Sequence, residues 1–167
     1  DVKICAFSNI KEFCSVLNLS KKKNRHEISP LEIKNQFISI CRHYYDNLNI
    51  RFEGIVLCSQ MHGFIVLNKD NQPVSNYISW QDERSLEKIK GEDTFSIIKI
   101  TGMKPRPGLP FMNIIHMLRS GEIPDNSRIV SIPEWLALCS DDSKNVVHDT
   151  MLAGSGVFDL GKKEISK

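Results

Sequence analysis

The sequence predicts an α/β domain built on a mixed sheet with helices on its faces. Short apolar runs with strand character alternate along the chain with stretches of helical spacing, the pattern of layered α/β architecture. Apolar residues make up 41% of the 167 and charged residues 25%, ordinary globular composition. That length suits one domain with a core of its own. The region 54–80 holds three of the strand-like runs and forms a β-rich patch between helical stretches.

In order, Val2 to Phe7 reads as a strand. Ile10 to Leu17 reads as a short helix with Phe13, Val16 and Leu17 on one side. Ser20 to His26, carrying Lys21, Lys22, Lys23 and Arg25, reads as an exposed, solvated loop. Ser29-Pro30-Leu31-Glu32 is a helix start, with Ser29 as cap, Pro30 in the first turn and Glu32 closing a capping box. Ile33, Phe37, Ile40, Cys41, Tyr44, Tyr45 and Leu48 continue it at helical spacing. Gly54 to Cys58 is apolar nearly throughout, as expected of a strand buried on both faces. His62 to Leu67 gives a further apolar run, 68–73 a polar turn and Val74 to Trp80 another strand.

From Ser85 the pattern turns helical, with Leu86 and Ile89 inward and Gly102 as the stop after Thr101. Met103 to Pro110, with three prolines, is a loop. Leu109 to Leu118 follows as an amphipathic helix burying Phe111, Ile114, Ile115 and Leu118. Arg128 to Ser131 is a strand, and Ser131-Ile132-Pro133-Glu134 a second capping box that opens a helix through Trp135, Leu136 and Leu138. Asp141 to Asn145 reads as a polar loop, and Gly161 to Lys167 as a frayed end.

Net charge of +2 and 8% aromatic residues give no electrostatic case for nucleic acid or a membrane surface. Cysteines 5, 14, 41, 58 and 139 are odd in number and form no Cys-x-x-Cys pair, so neither a disulfide framework nor a zinc site is expected. No apolar run approaches the roughly 20 residues of a membrane span, and no signal-peptide pattern opens the chain. The expected location is the cytoplasm. Phosphate-loop, dinucleotide, metalloprotease and hydrolase-elbow signatures are absent, and the five histidines have no metal-site spacing.

The chemistry-bearing residues cluster instead at 59–63 and 80–84. Gln60 and His62 place donors and acceptors directly after an apolar run, Trp80 offers a flat apolar face, and Asp82 and Arg84 a charged pair. Sugars are bound by such sets, because their C–H faces stack on an aromatic ring while hydroxyls meet planar polar groups. The residues alone leave a second reading open, in which His62 is a satisfied core histidine and Asp82–Arg84 a surface pair.

Ser59-Gln60-Met61-His62-Gly63 followed by Trp80-Gln81-Asp82-Glu83-Arg84 resembles the amino-terminal domain of the FGGY carbohydrate kinases, in their xylulokinase and sedoheptulokinase-like branch. Further points fall in the family's order: Glu27 before Ser29-Pro30, Thr101-Gly102, the proline-rich loop, Glu134-Trp135-Leu136 and the tract from Thr150 to Asp159. The resemblance covers nearly the whole chain. It implies an RNase H-like, actin-type ATPase fold, in which two domains close on a cleft holding a sugar and ATP with Mg. Gln60, Met61 and His62 would lie against the sugar, with Trp80 and Asp82 as the neighbouring wall; Arg84 would contact the sugar or brace Asp82.

The sequence also departs from the family pattern. It begins at Asp1-Val2-Lys3-Ile4, past the family's Asp-x-Gly-Thr turn, and holds no Gly-Asp-Asn or Gly-Asp-Gln motif, where the family keeps its catalytic Asp. Asn113 and His116 stand where the family tends to have Lys and Trp. The resemblance therefore implies one sugar-binding domain over 1–167, without the first strand-turn and without the carboxy-terminal nucleotide-binding domain that would be its partner. On this reading no residue here is catalytic or metal-ligating, neither ATP nor Mg binds tightly, and an exposed apolar face is open to self-association. The rival is a non-catalytic sugar-binding or scaffolding remnant of the same fold.

Overall fold

The computed structural model describes residues 2–7, 12–47, 49, 51, 53–98, 105–140, 149–159, 161–162 and 164–165. Strands β1 (Val2–Phe7) and β2 (Glu12–Leu17) pair antiparallel. Strands β3 (Ser20–Lys22) and β4 (Arg25–Ile28) form a hairpin, and helix α1 (Pro30–Arg42) follows, ending in a π-type turn at His43–Asn47. The centre is β5 (Ile65–Leu67) and β6 (Tyr77–Ile78), which are joined through a Phe64–Ile78 bridge. A 3-10 turn at Arg84–Leu86 leads to the small hairpin of β7 (Lys88–Ile89) and β8 (Glu92–Asp93) and to the one-turn helix α2 (Thr94–Ile97). Then come α3 (Pro110–Ser120), β9 (Arg128–Val130), α4 (Ile132–Ser140), α5 (Asp149–Ala153) and the hairpin of β10 (Phe158–Asp159) with β11 (Glu164–Ile165). Every strand pairing among the described residues is antiparallel; β6 lies on β4 and β9 on β5.

The two-residue period of a strand organises the core around β5. Ile65 and Leu67 point to one side, packing in one cluster with Ile33 of α1 and with Trp135, Leu136 and Leu138 of α4. Phe64 and Val66 point to the other side, where Ile78 and Met117 of α3 join them. Helices thus cover both faces of the central strands. Each fully buried aliphatic side chain here contributes about 1.5–3 kcal/mol relative to an exposed one.

The two proline-led helix starts are realised differently. At α4 the capping box closes in both directions: the Ser131 N–H donates to Glu134 Oε2 at 2.7 Å, and the Glu134 N–H to Ser131 Oγ at 3.5 Å. At α1 the Ser29 side chain makes no capping bond; its carbonyl oxygen accepts from Glu32 and Ile33 instead.

Several local expectations are corrected. Residues 12–17 are a strand, not a helix, because Cys14, Val16 and their neighbours find β1 as a partner. The lysine-rich segment is a hairpin whose Arg25 is tied to Glu87 and Glu122, although Lys21, Lys22 and Lys23 are exposed as expected. Residues 54–60 form no strand, and Val56 is 96% exposed. Only 77–78 of the run 74–80 pair as a strand. The stretch after Ser85 is a 3-10 turn and hairpin, with Leu86 on the surface. Tyr45 is exposed while Tyr44 is buried. In α3 the buried positions are Met112, Asn113, His116 and Met117, and Leu118 is exposed. At the end of the chain, Glu164 and Ile165 pair with β10. Leu48, Thr101, Gly102 and the 141–145 loop lie outside the described residues.

Candidate functional site

The 59–63 segment is a turn set on the end of the central pair. Phe64 and Ile78 exchange both backbone hydrogen bonds, at 3.0 and 2.8 Å, so position 62 and position 80 lie just beyond the same end of that pair. Gly63 is required there: a Cβ at this position would fall 1.9 Å from the Tyr77 hydroxyl. His62 takes a left-handed backbone conformation, φ +65°, which costs a non-glycine residue about 1–2 kcal/mol. Its Nδ1 lies 2.5 Å from the Gly154 carbonyl oxygen. A carbonyl only accepts, so Nδ1 carries the proton, and in the neutral ring Nε2 is left as an acceptor. Gln60 is half-buried and Met61 is 48% exposed.

Trp80 faces solvent across the turn, 47% exposed. Gly108 packs on its backbone so closely that a Cβ would meet the Trp80 carbonyl oxygen at 2.3 Å. A hollow of about 320 Å³ opens beside the indole, lined by Trp80, Gln81, Glu83, Arg106, Pro107 and Gly108. The rim then closes on itself. The Phe111 N–H, in the first turn of α3, donates to the Ser155 carbonyl at 3.1 Å, and the neighbouring Gly154 holds His62. The Gly-Ser-Gly tract thus joins the histidine turn to the helix that follows the tryptophan hollow.

Asp82 and Arg84 are fully buried beneath this rim. Asp82 Oδ1 accepts from Arg84 Nε at 2.8 Å and from the Arg84 N–H at 3.1 Å. Asp82 Oδ2 accepts from Arg84 Nη2 at 3.0 Å and from the His26 N–H at 2.8 Å. Arg84 Nη2 also donates to Glu27, and Nη1 to Glu122 at 3.4 Å. Arg25 extends the network, binding Glu87 at 2.8 Å and Glu122 at 3.0 Å. Burial works against the Arg84 charge, but Asp82 and Glu27 outweigh it and raise the pKa. Hydrogen bonds from Arg25 hold Glu87 below the usual carboxylate range; at Glu122 burial opposes the same effect and is outweighed.

The two remaining motif residues are therefore internal struts. Of the alternatives for Arg84, the structure shows it bracing Asp82, whose two oxygens are already filled by protein donors. Asn113 of α3 locks the same loop, donating from Nδ2 to the Asp82 carbonyl at 2.8 Å while its Oδ1 accepts from the Ser85 N–H at 3.4 Å. Nothing in residue spacing announced Arg25, Glu87 or Glu122 as partners, since they come from distant segments; Glu27 carried a sequence signal through its place before Ser29-Pro30.

A family model for the N-terminal domain of the FGGY carbohydrate kinases matches residues 11–167. The chain belongs to the FGGY family of carbohydrate kinases. No curated protein matches the sequence. Among solved structures, the FGGY domain is similar to ligand-bound xylulose kinase from Lactobacillus acidophilus, with TM-score 0.78 and 21% identity over 94% of this chain and 33% of that one. Gluconate kinase from the same organism matches with TM-score 0.78 and 21% identity, over 93% of this chain and 33% of that one. Plasmodium falciparum glycerol kinase with ADP matches with TM-score 0.72 and 16% identity, over 95% and 35%. The FGGY chain thus spans about a third of the length of these kinases, and its fold is the RNase H-like, actin-type fold they share.

Among the described residues of this FGGY domain, no group of three His, Cys, Asp or Glu side chains could hold a metal ion. No described helix is long and apolar enough to cross a membrane.

Proposed function

We propose that this chain is the sugar-binding domain of an ATP-dependent kinase that phosphorylates a ketose such as xylulose or sedoheptulose, and that it transfers no phosphoryl group alone. The observation that carries the reading is the convergence of the Gln60–Met61–His62 turn and Trp80 at one end of the Phe64–Ile78 pair, beside an open hollow. Trp80 presents its exposed face to the C–H surface of the sugar. His62 Nε2 accepts a hydroxyl proton, Gln60 supplies a donor and an acceptor, and Met61 fills the apolar gap between them. Asp82 and Arg84 act from below by fixing the loop that carries Trp80.

Phosphoryl transfer needs a base or orienting carboxylate, together with groups that neutralise the charge developing on the transferred phosphoryl. Asp82 is committed to Arg84 and His26 and cannot serve as that base while it stays so. The base and the groups that hold Mg and ATP as co-substrates are accordingly assigned to a second domain closing over this one. The free thiols of Cys41, Cys58 and Cys139 support a cytoplasmic setting.

The test is steady-state kinetics of the full-length kinase carrying His62→Ala or Trp80→Ala. Sugar KM should rise at least about tenfold in each, the loss of roughly 1.4 kcal/mol of binding, with the KM for ATP nearly unchanged. Unaltered sugar kinetics in both variants would remove these residues from the site.

A further inference from the structure

A second hollow, of about 620 Å³, shares no lining residue with the one at Trp80. It lies between the N-terminus of α1, the turn at 72–76 and Trp135 of α4. Its chemistry is one-sided. Ser29, whose side chain leaves the helix uncapped, lines it together with Leu31 and Lys34 of the first turns. The start of a 13-residue helix carries unsatisfied N–H groups and partial positive charge, to which Lys34 adds a full one. None of the described residues lining the hollow is acidic.

An independent observation points the same way. Trp135, which lines this hollow, is only 7% exposed, and its indole N–H has no hydrogen-bond partner. Buried donors are nearly always paired, and leaving one unpaired costs about 1–3 kcal/mol. An acceptor entering the hollow would meet that N–H, the Ser29 hydroxyl and the Lys34 ammonium. Pro73 and Val74 supply an apolar wall opposite.

We propose that this groove binds a small carboxylate carrying an apolar tail, held at its charged end by Lys34, Ser29 and the Trp135 indole and at its tail by Pro73 and Val74. The volume falls in the range of small-molecule sites, about 300–1,000 Å³. The site is separate from the sugar cleft and does not depend on the assignment made there.

The experiment follows the indole N–H signals of the 15N-labelled chain. It has two tryptophans, and Trp80→Phe assigns the peak that remains to Trp135. Sodium hexanoate is the probe, with hexan-1-ol and sodium chloride as controls. The Trp135 peak should move saturably with hexanoate and with neither control. Lys34→Gln should weaken binding by about tenfold. Val74→Asp, which brings a carboxylate to a surface position at the rim, should abolish the shift; the rest of each spectrum reports that the variant is folded. The proposal is overturned by a Trp135 peak that does not move with hexanoate, by an equal response to hexan-1-ol, or by unchanged binding in either folded variant.

Discussion

Arg84 Nε and Nη2 lie 2.8 and 3.0 Å from the two carboxylate oxygens of Asp82, and neither side chain reaches solvent. The pair forms within three residues of one loop because the 3-10 turn at 84–86 swings the guanidinium back over residue 82. Glu27 of β4 and Glu122 beyond α3 then meet the outer edge of the same guanidinium. One ion pair therefore fastens the loop after Trp80 to two other segments.

Asp82→Asn leaves the Arg84 charge buried with its principal partner gone. Removing one member of a buried pair costs about 3–5 kcal/mol, because the remaining charge loses compensation without regaining water. A loss of that size should appear in urea unfolding of the domain. Arg84→Lys should be nearly as damaging, since an ammonium cannot reproduce the two-pronged contact. A change below about 1 kcal/mol in both variants would mean that the network is a surface-like pair.

Gly108→Ala tests how the tryptophan wall is set. Its Cβ would lie 2.3 Å from the Trp80 carbonyl oxygen, a backbone atom that cannot rotate away. The loop must move, at a cost of about 1–3 kcal/mol for overpacking. Trp80 emission should change in the folded variant, and sugar KM in the full-length kinase should rise while the KM for ATP holds. Unchanged emission and unchanged kinetics would show that the wall tolerates the displacement.

What the sequence showed depended on whether a signal was local. The capping box at 131–134 and the helix start at Pro30 are local chemistry and appear where expected. The clustering of His62 with Trp80 was legible because their motifs flank runs that pair. The run at 54–58 was misread because apolarity reports fitness for burial, not the presence of a neighbour, and no described strand pairs with it. The face of α3 was misread for the opposite reason: Asn113 and His116 are buried polar residues, which hydrophobic patterning discounts. Asp82 and Arg84 looked like ligand groups because the segments that saturate them are more than 35 residues away.

The two serine starts should respond differently to truncation. Ser131→Ala removes the hydroxyl half of a closed capping box and should cost about 1 kcal/mol. Ser29→Ala removes a side chain with no capping bond and should be close to neutral in buffer free of carboxylates. Paired urea titrations decide it; equal losses would mean that both hydroxyls cap.

The histidine in α3 gives the fold a pH dependence whose sign follows from its burial. His116 is 1% exposed, with Nδ1 3.3 Å from Thr94 Oγ1 and Nε2 4.0 Å from Glu87. Burial lowers its pKa; Glu122 and Glu87 pull the other way, and Arg25 and Arg84 add to the lowering. In the unfolded chain the imidazole takes a proton near pH 6.5, the ordinary value, whereas the folded one resists until the pH is lower. Between those points the unfolded state binds more protons, so stability is full above about pH 6.5 and is lost as the pH falls through the folded pKa. Glu87 and Glu122, both held low, add a second loss of the same sign that begins only near the ordinary glutamate value of about 4.3. Melting temperatures measured from pH 7.5 to 4 should therefore decline in two stages. His116→Asn, whose amide can still face Thr94, should flatten the upper stage and leave the lower one. An upper stage that survives unchanged in this variant would assign the titration to another group.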